Sequence, residues 1–258
     1  MPQIHPTALV DAGARLADDV VIGAFTLVGP HVAIGSGTVI GPHVVLTGRT
    51  TLGARNRIFQ FSSIGEIPQD RKYGGEPTLV TIGDDNVIRE FVTIHAGTAQ
   101  DRGATTIGNA NLLLAYVHIA HDCIIGDHTT FSNNAQLAGH VTIGDWVTMG
   151  GFTGVHQFCR VGAHAMVAAG AIVLKDVPPF ITVAGYPAKP RGPNSEGLRR
   201  RGFSSADIAA VRRAYKMLYR DGLALKDATT AVIEAAASTP ALAPLAAFLV
   251  EPGRGLSR

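Results

Sequence analysis

His121, Gly139 and Gln157 stand at intervals of eighteen residues, and Asp122 and His140 repeat that interval one position later. If residues eighteen apart stack vertically, these types in one row can do acid–base chemistry. His121 would act as general base, the Gly139 amide as a backbone donor to a developing oxyanion, and Gln157 as a polar hook for substrate. Asp122 and His140 would stand in the next column. Seven of the ten histidines (His95, His118, His121, His128, His140, His156 and His164) fall between positions 95 and 164. Lone histidines are mostly structural or exposed, so the alignment carries the argument rather than the number. A metal would need three converging imidazoles. His118 and His121 could contribute, but His140 is offset by one column. Acid–base work therefore ranks above metal binding, and no metal is expected.

The eighteen-residue interval follows from a shorter one. Ile4, Val10, Leu16, Ile22, Val28, Ile34, Ile40, Leu46, Leu52, Ile58 and Ile64 place an aliphatic side chain at every sixth position, and the pattern runs again from Ile107 to Val173. In a chain that is 46% apolar, the first run alone has a chance of about 2 in 10,000. Four residues after most of these aliphatics comes a small or β-branched residue, as at Val20, Thr26, Val32, Cys123, Ala135 and Cys159, suited to a narrow packed interior. Glycine often follows the aliphatic, as at Gly23, Gly41, Gly126 and Gly144, where a corner has no room for a side chain. A six-residue repeat of this kind predicts a mainly β fold, a hexapeptide β-helix in which three hexads make one triangular coil.

The repeat breaks twice. The stretch from Gly65 to Pro77 is polar and turn-rich, and a second break spans about His95 to Thr105, after which Ile107 resumes one residue out of phase. The mixture of Gln69, Asp70, Arg71 and Lys72 marks the first break as a ligand loop; the second reads equally well as a tolerated surface insertion. After Val173 the register gives way to a proline-rich exit. Ser204 and Asp207 form a capping box opening a helix, and further helices are expected near 226–238 and 240–250. The expected division is a β-helix over 1–190, with loops near 65–80 and 95–105, and a helical domain over 191–258.

Charge is concentrated. Residues 189–220 hold nine bases against Glu196 and Asp207, a local +7 in a chain of net +2, which leaves −5 elsewhere. Such a cluster suits a polyphosphate group or an acidic protein partner, although Arg212 and Arg213 are equally well explained as a solvated helix face. Nucleic acid is not expected, because no aromatic stacking platform accompanies the charge. No run of eighteen apolar residues occurs and the hexads begin at Ile4, so neither membrane insertion nor a signal peptide is expected. Cys123 and Cys159 lie thirty-six residues apart, two coils or roughly 9–10 Å at β spacing. That is too far for a disulfide, and both read as core residues of a cytoplasmic protein.

Several stretches carry a more specific likeness. His118-Ile119-Ala120-His121-Asp122-Cys123, Asn133-Asn134-Ala135-Gln136-Leu137-Ala138-Gly139-His140 and Val155-His156-Gln157-Phe158-Cys159 resemble the acyl-[acyl-carrier-protein]–UDP-N-acetylglucosamine O-acyltransferases of lipid A biosynthesis. So do Gln69-Asp70-Arg71-Lys72-Tyr73 and Asn194-Ser195-Glu196-Gly197-Leu198-Arg199-Arg200-Arg201. The resemblance covers essentially the whole chain and implies a left-handed β-helix working as a cytoplasmic homotrimer with sites between neighbouring prisms. It implies transfer of a 3-hydroxyacyl chain from acyl carrier protein to the glucosamine 3-hydroxyl, with no cofactor beyond the donor's own phosphopantetheine. His121 matches the general base, Asp122 its orienting partner and Gly139 the oxyanion donor. Gln69, Asp70 and Lys72 match sugar or donor contacts, and His118 and His140 line the same cleft. His156 and Gln157 reach toward the nucleotide. Asn194, Glu196, Arg200 and Arg201 match binders of the uridine diphosphate or phosphopantetheine, and Ala169 falls at the acyl-chain ruler. The wider basic face would dock the carrier protein.

Two other readings compete. The related N-acyltransferase of the same pathway carries an extra N-terminal uridine-binding domain, for which a repeat starting at Ile4 leaves no space. A zinc-dependent or non-enzymatic β-helix trimer would leave the Gln69-Asp70 loop and Arg199-Arg200-Arg201 without a task.

Overall fold

The computed structural model describes residues 1–251 and 253–258. Most strands are two residues long, and each pairs in parallel with the strand one coil on: Gln3 with Val21, Leu9 with Leu27, Arg15 with Ala33. Three walls result. Wall A runs from Gln3–Ile4 to Met166–Val167, wall B from Leu9–Val10 to Ile172–Val173, and wall C from Arg15–Leu16 to Arg160–Val161. The chain visits them in the order A, B, C, so the prism has three edges: A/B, B/C and C/A. The second residue of each short strand faces inward, as the two-residue side-chain period requires. Ile58, Ile88, Leu113, Phe131 and Met149 therefore form one buried column of wall A.

The small interior slots are buried as expected, from Val20, Thr26 and Val32 through to Ala165 and Ala171. Both cysteines are buried free thiols. Burial pushes Cys123 up to about 12 and Cys159 up to about 11, which removes them as nucleophiles at neutral pH. Midway along the prism the slot turns polar, a feature the hexad pattern does not announce. The side-chain oxygen of Asn56 accepts the Asn86 N–H at 2.9 Å, that of Asn86 accepts the Asn111 N–H at 2.9 Å, and that of Asn111 accepts the Thr129 N–H at 2.7 Å. These buried amides thus satisfy backbone donors from coil to coil.

Edges are built from close backbone approach. A Cβ on Gly23 would lie 2.6 Å from the Gly41 carbonyl carbon, so the corner glycines are there for space. The left-handed backbone conformation falls instead on larger residues two places later, such as Phe25 (φ 58°), Phe61 (φ 63°), Asp122 (φ 59°) and His164 (φ 59°). These stack along each edge. On A/B, Phe25, His43, Phe61, Phe91 and Tyr116 form a ladder with successive ring centroids 4.7–5.3 Å apart.

Both breaks of the repeat leave from edge B/C. Leu52 pairs with Ile82, thirty residues on rather than eighteen, an insertion of twelve. Ile94 pairs with Ile119, twenty-five residues on, an insertion of seven. The apparent one-residue phase slip is therefore a whole extra loop, after which the register is restored.

At the far end the chain keeps more β structure than its prolines suggest. Ile181–Ala184 adds to wall A beside Met166–Val167, and Lys189–Pro193 pairs antiparallel to it. The expected division at 190/191 falls inside this last strand. Helix α1 (Ser195–Arg200), which the sequence reading did not anticipate, is capped by the Asn194 side chain. Helix α2 (Ser205–Tyr219) opens on the expected capping box of Ser204 and Asp207. Helices α3 (Leu225–Ala237) and α4 (Ala243–Val250) follow. Phe180, Leu198, Val211, Leu218, Val232 and Leu245 form their shared core.

His164 sits where prism and helices meet, with its ring 5.7 Å from Phe180 and 5.1 Å from Phe203. Burial, with help from Arg201, lowers its pKa to about 4. The unfolded chain, with a histidine near 6.5, takes up the proton first as pH falls, so this group withdraws stability between pH ~6.5 and ~4. His164→Phe places a residue already tolerated at equivalent left-handed corners (Phe25, Phe61, Phe91). We expect melting temperature to decline less steeply across that window in the variant than in the wild type.

Candidate active site

Edge B/C brings the sequence-predicted row together. The His140 N–H donates to the His121 carbonyl at 3.0 Å, and the Phe158 N–H donates to the Gly139 carbonyl at 3.1 Å. His121, Gly139 and Gln157 therefore form one column, and Asp122, His140 and Phe158 the next. The imidazole of His121 rests directly on the backbone of Gly139. A Cβ built on that glycine would lie 2.5 Å from Cε1 and 2.6 Å from Nε2, so any side chain here would displace the ring. Among the described residues the Gly139 N–H donates to no backbone or side-chain acceptor.

The tautomer of His121 follows from its partner. Nδ1 lies 2.9 Å from Asp122 Oδ2, and a carboxylate can only accept, so Nδ1 carries the proton and Nε2 is left as a lone-pair acceptor. Asp122 is itself buried, which on its own would raise its pKa. Hydrogen bonds from His121 and from the side chain and backbone of Thr98 outweigh that and hold it below the usual carboxylate range. Asp122 therefore stays ionised at neutral pH.

His140 stands edge-on to His121, with ring centroids 4.9 Å apart, and stacks on Phe158 at 4.3 Å. Its Nδ1 donates to Asp101 Oδ2 at 2.6 Å and lies 3.9 Å from Asp122. The column offset thus does not keep His140 away: His121, Asp122 and His140 present ligand atoms within 4.8 Å of one another. Among the described residues, these three could hold a cation. The carboxylate is already occupied, however, since Thr98 N–H, Thr98 Oγ1 and His121 Nδ1 all donate to it. That donor set fits an orienting carboxylate better than a metal ligand.

A cavity of about 400 Å³ opens on the wall C side of this cluster, lined by Asp70, Lys72, Thr98, Asp101, Asp122 and His140 among others. Both loops from edge B/C therefore reach the same space. Gln69 is exposed and outside that lining. On the wall B side a shallower groove runs from His118 past Ala138, Gly154 and His156 to Ile172 and Leu174. His118 is held by Thr93 Oγ1 at 2.8 Å, and burial, with His95 and His121, lowers its pKa to about 4, so it is neutral at physiological pH. His156 lies in that groove, and Gln157 is exposed one coil beyond Gly139.

The remaining sequence-predicted residues lie elsewhere in this chain. Ala169 is exposed on edge A/B and does not line the wall B groove. Arg201 packs against Trp146 and His164 on edge C/A, with its guanidinium carbon 5.4 Å from the Trp146 ring centroid. Asn194 caps α1 and donates to the His164 carbonyl at 2.9 Å, so both ends of its amide take part in the fold. Glu196 pairs with Arg199 and Arg200 on the surface. Thr98 and Asp101 escaped the sequence reading, although the phase slip at Ile107 was the signal that an inserted loop crosses this edge. Gly139→Ala would drive a methyl into the His121 ring, and we expect a loss of turnover of about 100-fold or more. Circular dichroism should show the fold retained, and wild-type turnover in that variant would contradict the close contact.

Residues 176–257 match the profile described as UDP-N-acetylglucosamine O-acyltransferase, domain 2, and residues 13–48 and 104–139 match that of the bacterial transferase hexapeptide (six repeats). The acyl-[acyl-carrier-protein]–UDP-N-acetylglucosamine O-acyltransferase of Thiobacillus denitrificans is 59% identical over 100% of both chains. The enzyme of the same name from Herminiimonas arsenicoxydans is 57% identical, again over 100% of both. Among solved structures, the UDP-N-acetylglucosamine O-acyltransferase of Moraxella catarrhalis superposes with a TM-score of 0.97 at 46% identity, covering 99% of each chain. The Francisella novicida UDP-N-acetylglucosamine acyltransferase gives 0.96 at 43%, covering 98% of this chain and 93% of the other. The prism is thus the left-handed β-helix of these relatives, and with full-length identity well above half, this chain belongs to the UDP-N-acetylglucosamine O-acyltransferase family.

Proposed function

We propose that this chain transfers a 3-hydroxyacyl group from acyl carrier protein to the glucosamine 3-hydroxyl of UDP-N-acetylglucosamine, the first step of lipid A biosynthesis. The observation that carries the mechanism is the orientation of His121: Nδ1–H donates to a buried carboxylate and Nε2 remains unprotonated beside a glycine backbone. Nε2 takes the proton of the sugar hydroxyl as its oxygen attacks the thioester carbonyl carbon. The resulting oxyanion is received by the Gly139 N–H. Collapse breaks the C–S bond, and the departing thiolate recovers the proton from His121, leaving an ester and a free carrier thiol. The thioester is already activated, so neither metal nor further cofactor is required.

The acyl chain fits the apolar groove of wall B, where Gly154 keeps the floor low beside Ile172. Asp70, Lys72 and His140 then hold polar parts of the substrates from the wall C side. Arg200, Arg201, Glu196 and Ala169 belong to other edges, and a neighbouring copy is needed to bring them to this one. A homotrimer supplies that copy. Its support here is the exposed apolar surface made by Leu9, Leu27 and Val45 on wall B together with Phe25, Phe61, Phe91 and Tyr116 on edge A/B. The outward face of α2, with Arg212, Arg213, Lys216 and Arg220 exposed, suits an acidic carrier protein. No helix among the described residues is long and apolar enough to cross a membrane, and the free buried thiols fit the reducing cytoplasm.

His121→Ala is expected to lower kcat by about 100-fold or more, with the oligomer unchanged by analytical ultracentrifugation. Near-normal turnover would remove the base assignment. Arg200→Ala, which removes an exposed side chain paired with Glu196, is expected to raise KM for nucleotide sugar or for carrier protein about 10-fold. Unchanged constants for both would discard that contact.

A further inference from the structure

The seven-residue insertion at edge B/C is tightly built. The Thr98 carbonyl accepts the Gly103 N–H at 3.0 Å and the Asp101 N–H at 3.3 Å, closing the loop on itself. The Gly103 carbonyl in turn accepts the Leu79 N–H at 2.8 Å, which ties it to wall C. From this frame Thr98, only 1% exposed, directs three contacts at one carboxylate. Its N–H lies 3.0 Å from both Asp122 oxygens, and its hydroxyl lies 2.7 Å from Oδ2. Asp101, three residues on, anchors the same loop to His140.

Oδ2 is also the oxygen that accepts His121 Nδ1–H. Asp122 sits on a left-handed corner (φ 59°), and the Thr98 N–H, the Thr98 hydroxyl and His121 Nδ1–H all donate to its carboxylate. We propose that Thr98 is a positioning residue for the acyl transfer: it clamps the Asp122 carboxylate in the plane that holds His121 with Nε2 toward substrate. The inserted loop is then part of the catalytic apparatus, although Thr98 never touches a reacting atom. This inference rests on the His121–Asp122 reading above.

The test is a double-mutant cycle on the full-length enzyme, with kcat and KM measured for both substrates. Thr98→Val keeps the shape and the N–H but removes the hydroxyl. It is expected to lower kcat about 10-fold, the scale of one hydrogen bond to a charged group, with KM moving less than about 2-fold. Thr98→Ser should restore kcat to within about 3-fold of wild type, because the hydroxyl returns. In an Asp122→Asn background the Val substitution should change kcat less than about 2-fold, since the residue it acts through has already been altered. Should the Val variant fail to fold by circular dichroism, Thr98→Ala takes its place in the cycle. The proposal is overturned if Thr98→Val matches wild type, if Ser performs no better than Val, or if the Val effect is undiminished on Asp122→Asn. An Asp122→Asn single variant with wild-type kcat would instead bring down the underlying dyad, so the two failures are separable.

Discussion

Parallel backbone hydrogen bonding between successive coils is the constraint on which the structure depends. Each short strand contributes few bonds, but the same interval recurs on three walls, from Gln3 with Val21 to Gly154 with Ile172. Because the pairing is parallel and in register, side chains of equal rank in consecutive coils lie one strand spacing apart. That geometry turns sequence positions into columns: aliphatics inside, aromatics stacked along edge A/B, and chemistry along edge B/C. The contact between His121 and Gly139 is one such column contact, as are the Asn56, Asn86 and Asn111 ladder and the Phe25 to Tyr116 ladder. The rigidity of the scaffold thus reaches the imidazole through the rung beneath it.

The electrostatics of edge B/C follow from where burial falls. Asp122 is sealed under the second loop and kept anionic by donors. His118, on the neighbouring wall, has no carboxylate partner among the described residues; it is desolvated and stays neutral. Two histidines three residues apart thus have different surroundings: His121 stands against a buried carboxylate, and His118 lines a groove as an uncharged polar group.

Much of this was legible in the sequence, and the reasons differ by element. The hexad read correctly because an interior slot admits few residue types, so Ile22, Val28 and Ile34 each report on the same geometry. The row of His121, Gly139 and Gln157 followed by arithmetic from the coil length. The capping box at Ser204 was readable since it is local chemistry between residues three apart. Helix α1 was missed because its length is a single cap and little more, with no hydrophobic period to detect. The approach of His140 to His121 was missed because a column argument fixes backbones while imidazoles reach across columns. Thr98 was out of reach for a different reason: a loop's return path is set by tertiary hydrogen bonds that no short-range pattern encodes.

The two insertions have a consequence for how such a chain can vary over time. Each leaves and rejoins the prism at one edge, and the strand that follows re-enters the ladder unshifted, as Ile82 does beside Leu52 and Ile107 beside Ile82. Lengthening an edge loop is therefore a local event, invisible to the coils above and below. Losing one residue inside a wall is not, because every inward side chain of that strand would turn to solvent. New ligand preferences can accumulate at the corners of this molecule while its faces remain almost frozen.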